Sequence, residues 1–564
     1  MHAATAMRGV AILPRMRHPS FGVILVLWAA ITALGHGKAF HIDDTFHLKA
    51  GQWIEAYPLQ PMSGLVNWAH DPEPIHRFNQ PPGFFYAVAL TGHWFGYGEA
   101  PMHAMLSLFT LLALICFHRL ARHRSPRSAL LLTALFALCP AFLVNQGVMA
   151  DVPLLALLLL TACLLLLPGP GPVALRLSLA ALVLCGALSV KYAALPMLVV
   201  FAAALVIRRQ WRWLWLPLVP VLFLALWSAW NLHEYGGMHL LDRVGGDPSP
   251  RGIFVRTLSL LTVLGAVAPF TPLFAKLLLR SAGAWLFRAW AAACVLALLF
   301  AMGVFSGRIP QHTADQVLRI TFTLNGALIV AYCAAALPRK PALGTGDTWI
   351  LAAWALGMAS FIALFSPTMA TRHVLLVLPP VLLLAAPAVN TMPKRVKTLA
   401  VACTAGLGLC LALADHAYAG FYRQQAPLIA KAMRQKTTGT VWSAGHWGWQ
   451  WYAEQAGMPT YGRTTSAVQA GDVLVVAQEH STQAPATDLV LQPISRWTAP
   501  ASLATCFGVD RFAGLYDSSY GKLPWSLGHN HRSTIVAYRV VSLRQTPPTT
   551  PRFHQPGPIT TFAP

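Results

Sequence analysis

Two adjacent carboxylates, Asp43 and Asp44, stand directly after an apolar run, in the string His41-Ile42-Asp43-Asp44-Thr45-Phe46-His47. A carboxylate held against an acceptor hydroxyl can take its proton as a general base. Solvated loop acids are common, but a paired Asp beside His41 and His47 in a charge-poor chain is a stronger candidate for chemistry, since ionisable residues near a membrane are functional candidates by default. Asp151 stands two residues before Pro153, where another apolar run opens. Aspartate is also a good helix N-cap, and the two roles are compatible. Lys191 lies between two apolar runs, in Ser189-Val190-Lys191-Tyr192, and Arg372-His373 precedes a third. Such cations either snorkel to the interface or hold a phosphate, for which a guanidinium offers bidentate hydrogen bonds. His76-Arg77-Phe78-Asn79-Gln80-Pro81-Pro82-Gly83 completes the set; its prolines end one segment and start a helix.

These residues need elements to position them. Of 564 residues, 56% are hydrophobic and 11% are charged, against roughly 25% charged in soluble chains. That excludes an ordinary soluble protein. Apolar runs near the ~20-residue length of a membrane span fall at about 21–38, 101–118, 128–146, 152–167, 175–190, 192–207, 213–230, 253–275, 289–305, 319–337, 348–366, 374–390 and 398–414. The pattern predicts a polytopic α-helical membrane protein of about thirteen transmembrane helices.

The net charge of +22 invites a nucleic-acid reading, but the bases cluster between spans, where they record orientation. With the N-terminus inside, residues 1–414 place 19 Lys/Arg inside and 10 outside; eleven of their twelve Asp/Glu fall outside, Asp347 being the exception. No nucleic acid is expected as a partner. Counting residues 82–97 as a span would reverse this register, so that stretch reads as a juxtamembrane or re-entrant helix.

The chain divides into a cytoplasmic tail (1–20), a transmembrane module (21–230) with outer loops at 39–100 and 146–152, further transmembrane helices (231–414), a small extracytoplasmic α/β domain (415–545) and a disordered tail (546–564). The α/β expectation rests on strand-like runs such as 472–477 and 534–541, and on a Trp-rich helix between strands within 440–461. The last segment is Pro/Thr-rich.

In this order the motifs resemble the GT-C glycosyltransferases of the protein-mannosyltransferase and aminoarabinose-transferase type, including the RgtA/B/C/D-like branch. Asp43-Asp44 matches the acidic pair that opens their first outer loop. Phe78-Asn79-Gln80-Pro81-Pro82 matches their Pro-Pro element, and Asp151-Val152-Pro153-Leu154-Leu155 their Asp-Ala-Pro-Leu-Leu. Gly186-Ala187-Leu188-Ser189-Val190-Lys191-Tyr192 matches a Ser-Lys-Tyr element, and Arg372-His373-Val374-Leu375 with Pro379 a late Arg-Tyr element. The resemblance covers about residues 1–414.

It implies a GT-C fold and an inverting transfer of sugar from a polyprenyl-phosphate donor to a membrane lipid, glycan or protein acceptor. The expected place is the outer face of a bacterial inner membrane, with the C-terminal domain periplasmic. Asp43 would be the base, with Asp44 and Asp151 supporting. Lys191, Arg372 and His373 would hold the donor phosphate, and His47, Arg77, Asn79, Gln80, Pro81 and Pro82 would shape the substrate loop. The sequence departs from the family where Phe46 replaces an Arg and Asn79-Gln80 replaces Glu-Lys. The second change removes a family metal ligand, so the resemblance admits a divalent metal without supplying its site; Cys/His spacing gives none. The competing class is a polytopic transporter or flippase, which favours repeated halves and midplane charges. No repeat is visible, and the ionisable residues sit at run ends.

Overall fold

The computed structural model describes residues 18–544 apart from 79, 170, 243–246, 280–283, 339–344, 479–482, 510–513, 518–521 and 529–532. The expected disordered tail, most of the cytoplasmic tail and Asn79 therefore lie outside the described residues.

The chain is a helical bundle with a small sheet near its end. Its helices are α1 (His18–Gly35), α2 (Asp44–Ala56), α3 (Gly83–Phe95), α4 (Glu99–Arg124), α5 (Ala129–Ala137), α6 (Pro140–Val144), α7 (Asp151–Leu166), α8 (Val173–Val190), α9 (Pro196–Ile207), α10 (Leu218–Tyr235) and α11 (His239–Asp242). They continue with α12 (Pro250–Ala266), α13 (Ala284–Phe305), α14 (Gln311–Ala335), α15 (Gly346–Phe365), α16 (Thr371–Asn390), α17 (Lys394–Arg434), α18 (Trp447–Gln455) and α19 (Leu503–Cys506).

Among the described residues, eight helices are long and apolar enough to cross a membrane, and a ninth span arises if α12 and the 3-10 turn after it are taken together across a 104° bend. The expectation of about thirteen spans is thus not reproduced as thirteen full-length helices. Three runs form shorter apolar helices, α1, α7 and α9. The 128–146 run breaks into α5 and α6, because Pro140 begins the second piece and has no N–H to continue the first. The 82–97 stretch forms α3, of 13 residues, about 20 Å long and shorter than a span.

Burial separates centre from rim. In α16, 83% of the apolar window is buried inside the protein; in α13 only 11% is. Leu296, Leu298, Leu299 and Met302 of α13 are exposed. A helix apolar all round with such a surface belongs against lipid. Asp347, the lone acid expected inside, pairs with Arg208 at 2.6 Å and His123 at 3.0 Å. This gathers one end of α4, α9 and α15.

α17 runs unbroken through position 415 to Arg434, so the expected domain boundary falls within a helix. An early two-stranded ribbon pairs β1 (Leu65–Asn67) with β2 (Pro72–Pro74); the sheet follows α17, with strands β3 (Val441–Ala444), β4 (Val473–Ala477), β5 (Leu489–Thr498) and β6 (Thr534–Leu543) in the order β3-β4-β6-β5. β3 and β4 are parallel, with Val441 opposite Val473, and the other pairs are antiparallel. The alternation of side chains along a strand decides what β4 touches. Val473, Val475 and Ala477 join the main core, while Leu474 and Val476 pack with Tyr461, Val468 and Val540 on the other face. The sheet is thereby seated on the helices through one face.

Candidate functional site

After α1 the chain turns inward: Phe40, His41 and Ile42 are buried. Ile42 has φ +50°, a costly conformation for a β-branched residue, and strain of this kind clusters at functional sites. It sits immediately before Asp43. Asp43 occupies the N-cap position of α2 but makes no side-chain cap bond. Its carboxylate instead accepts from Arg372 Nη1 at 2.6 Å. Asp151 likewise does not cap; it is the first residue of α7 and accepts from Lys191 Nζ at 2.7 Å.

Four distant segments meet here. Lys191 ends α8 and Arg372 opens α16. Both acids and both cations lie at helix ends, on the same end of the bundle. The two pairs are near neighbours, since Asp151 feels the charge of Arg372 as well as that of Lys191, and Met149 Sδ lies 3.7 Å from Arg372 Nη1. Arg372 Nε is buried with no partner among the described residues, so the guanidinium has donor capacity beyond Asp43.

Asp44 is fully buried. It accepts the His41 backbone N–H at 3.1 Å, and its Oδ2 lies 3.7 Å from His41 Nδ1. Burial alone would raise its pKa; the hydrogen bond and charge of His41, with Lys38, outweigh burial and bring it below the usual carboxylate value. Its other oxygen faces the turn at Gly147, where an added Cβ would come within 3.1 Å of Oδ1.

His47 and Gln80 knit the loops together. His47 Nδ1 donates to Val148 O at 2.7 Å, leaving Nε2 to accept from the Gln80 amide at 2.7 Å. Burial pushes the His47 pKa down, consistent with that neutral tautomer. Pro81 and Pro82 are buried, and Pro82 precedes α3. The next residue, Gly83, packs so closely on Ser189 that a Cβ would lie 2.4 Å from its Oγ. The Pro-Pro-Gly turn therefore braces α8 two residues before Lys191. His373 turns its Nδ1 back to accept the Ala370 N–H at 3.1 Å, and so steadies the start of α16. Arg77 lies apart, 63% exposed and paired with Glu73 at 3.1 Å.

The residues present do not fit a divalent cation. No group of three or more His, Cys, Asp or Glu among the described residues is placed to hold one, and Asp43 and Asp151 already have Arg372 and Lys191 as their counter-charges.

No family model and no curated protein matches the chain. It is similar to solved structures. A structure of ArnT from Cupriavidus metallidurans bound to undecaprenyl phosphate aligns over 92% of this chain and 97% of that one, at 16% identity and TM-score 0.44. The arabinofuranosyltransferase AftD from Mycobacteria aligns over 94% of this chain and 40% of that one, at 13% identity and TM-score 0.40. The Archaeoglobus fulgidus oligosaccharyltransferase, tethered with an acceptor peptide, aligns over 73% of this chain and 57% of that one, at 12% identity and TM-score 0.39. At these identities and TM-scores no residue, donor or acceptor carries over, and the site stands on its own geometry.

One part of that geometry has no counterpart among the sequence motifs. Asp415 of α17 is fully buried and joins three residues from elsewhere. Lys38 Nζ lies 2.5 Å from its Oδ2, His41 Nε2 3.1 Å from Oδ1, and the Tyr516 hydroxyl donates to Oδ2 at 2.8 Å. Burial and Lys38 press the His41 pKa down, but Asp415 and Asp44 outweigh them and hold it above the ordinary histidine value. The residue before Tyr516 reaches the site as well: Leu515 O accepts the Thr371 N–H at 3.0 Å and its hydroxyl at 2.8 Å. The only signal in the sequence was scarcity: Asp415 is an acid at the end of a long apolar run.

Proposed function

We propose that the protein is a membrane glycosyltransferase that moves a sugar from a polyprenyl-phosphate donor to a nucleophile on a lipid, glycan or protein acceptor, with inversion. The observation that carries this reading is the side-by-side pairing of Asp43 with Arg372 and Asp151 with Lys191 at the end of the bundle. A carboxylate base and two phosphate-binding cations converge where a lipid head group would reach.

The chemistry follows from charge. A donor phosphodiester carries one negative charge and leaves as a phosphomonoester carrying two. Arg372 and Lys191 supply two positive charges at fixed positions, and preorganised charge of this kind lowers the barrier where negative charge grows. The arriving phosphate competes with Asp43 for Arg372. Once displaced, Asp43 is free to take the proton of the acceptor. The acceptor oxygen or nitrogen bonds to the anomeric carbon from the face opposite the phosphate. The C–O bond to phosphate breaks, polyprenyl phosphate leaves, and Asp43 returns its proton to water. No covalent enzyme intermediate forms. Asp44 and His41 fix the start of α2, so that Asp43 is presented at a constant angle.

In this reading the site faces the outside of a bacterial inner membrane and the C-terminal sheet is periplasmic. A transporter would place its charges near the middle of its spans, whereas α7, α8 and α16 bear theirs at their ends. The decisive test is incubation of the purified protein with radiolabelled polyprenyl-phosphate sugars and membrane acceptors. Transfer by the native chain, and transfer slower by about 10²-fold or more in Asp43→Asn with unchanged folding, is the expected result. Transfer at the native rate by Asp43→Asn overturns the assigned base.

A further inference from the structure

A cavity of about 470 Å³ opens between α2, the turn before α4, and α18. It lies on a different face of α2 from Asp44 and His47. Thr45, Lys49 and Gln52 follow one another at helical spacing on that face. Thr45 donates its hydroxyl to Trp447 O at 2.6 Å, while Lys49 and Gln52 line the cavity. Lys49 and Gln52 stand five and eight residues beyond Asp44, about 8–12 Å along the helix axis.

The chemistry of the lining is specific. Trp451 and Phe40 form an apolar floor, their rings edge to face at 5.7 Å. Around it stand two carboxylates, Glu99 and Glu454, two carboxamides, Gln52 and Gln455, and one ammonium, Lys49. With Arg423 beside Glu99 and Lys49 beside Glu454, two cations stand against two anions and the charges balance. They are held rather than loose. Lys49 pairs with Glu454 and lies 5.7 Å over the Trp451 ring. Glu99 accepts from the Tyr452 hydroxyl at 2.8 Å and faces Arg423 at 3.5 Å. The Tyr452 hydroxyl in turn accepts the Phe40 N–H at 2.7 Å, three residues before Asp43.

We infer that this cavity binds a neutral, polyhydroxylated ligand, an oligosaccharide segment, and that it is the acceptor subsite of the enzyme. Carboxylates and carboxamides serve adjacent hydroxyls as paired acceptors and donors, and the buried rings of Trp451 and Phe40 close the base beneath them. With each cation already held by a carboxylate, the cavity offers no surplus positive charge to an anionic ligand such as a phosphorylated head group. The binding claim stands on the cavity alone; the acceptor role rests on the proposed glycosyl transfer.

The test uses the full chain in detergent micelles, with maltotriose, mannotriose and galactotriose as neutral probes and mannose 6-phosphate as the anionic one. Saturation-transfer NMR reads binding. At least one trisaccharide should bind and the phosphate sugar should not. Gln52 is exposed, so Gln52→Trp fills the cavity without entering the core and should weaken binding at least about tenfold. Glu454→Gln should weaken it as well. Asp43→Asn should bind as the native chain does. Absence of binding by all three trisaccharides, unchanged binding in Gln52→Trp, or preference for mannose 6-phosphate overturns the inference. Trisaccharide binding by a chain that transfers no sugar overturns the acceptor role and leaves the carbohydrate site.

Discussion

Asp43 and Arg372 are 329 positions apart in the chain and meet at 2.6 Å, between the start of α2 and the start of α16. This pair joins the base to the cation meant for its substrate's phosphate. The carboxylate is occupied by the guanidinium, so the pair describes a resting state that donor binding must open. Asp43→Asn should lower kcat by about 10²–10⁴-fold, the usual contribution of a general base. Arg372→Ala should raise KM for the donor and lower kcat by about 10²–10³-fold, as for loss of a fixed charge-stabilising donor. The double variant should lose less than the sum of the two, because each partner acts through the other. Steady-state kinetics with a donor titration reads this. Strict additivity would sink the proposed competition between phosphate and Asp43.

Asp151 and Lys191 predict a stability effect. Their side chains are 3% and 17% exposed. Removing one partner of such a buried pair leaves an uncompensated charge and costs about 3–5 kcal/mol. Asp151→Ala should therefore melt well below the native protein in detergent. Combining it with Lys191→Met removes both charges and should recover most of the loss in stability while leaving transfer abolished. A double variant no more stable than Asp151→Ala contradicts the pairing.

The His41 network predicts a pH dependence. Its folded pKa lies above the ordinary value of 6.5. The stability it contributes is complete below about pH 6.5 and is lost as pH rises through the raised value. Asp44 acts at the other end. Its folded pKa lies below the ordinary 3.8, so its contribution is present above that value and fades as pH falls through the lowered one. Thermal melting from about pH 6 to about pH 9 should show the native protein losing an increment that His41→Gln lacks throughout. Parallel curves for the two proteins would remove His41 from the account.

The residues of the site stood out in the sequence because charge is scarce in this chain and theirs lies at the ends of apolar runs. Their pairing did not. Which acid meets which cation depends on contacts between residues 40 and 329 positions apart, and no local pattern carries that. Lys38 stands at the edge of the first apolar run and Asp415 at the expected start of a new domain, and neither shows its partner in sequence. Tyr516 sits in irregular chain, where periodicity is silent. For His373, expected beside Arg372 as a phosphate contact, the sequence did not show that its Nδ1 accepts the Ala370 N–H. Hydropathy found where the apolar runs lie but could not see that Pro140 splits one of them or that α12 bends away from the turn after it.

The crossing of α12 and α14 supplies the last prediction. A Cβ on Gly265 would stand 1.8 Å from Phe322 O, and one on Gly326 would stand 2.0 Å from Leu261 O. The backbones touch because both positions are glycine, the small-residue device of helices packed in lipid. Polar contacts reinforce it. Thr262 and Thr323 lie 2.8 Å apart, and Asn325 donates to Gly265 O at 2.8 Å. The helices cannot separate locally to admit a methyl without losing these bonds. Gly265→Ala should thus destabilise by about 1–3 kcal/mol, the usual cost of overpacking. Gly406 in α17 is the contrast, since a Cβ there meets nothing within 4 Å. Gly406→Ala should be neutral or stabilising by up to about 1 kcal/mol, from helix propensity alone. Melting curves of the two variants in the same detergent test the difference. A Gly265→Ala protein as stable as Gly406→Ala would show that the two helices do not meet this closely.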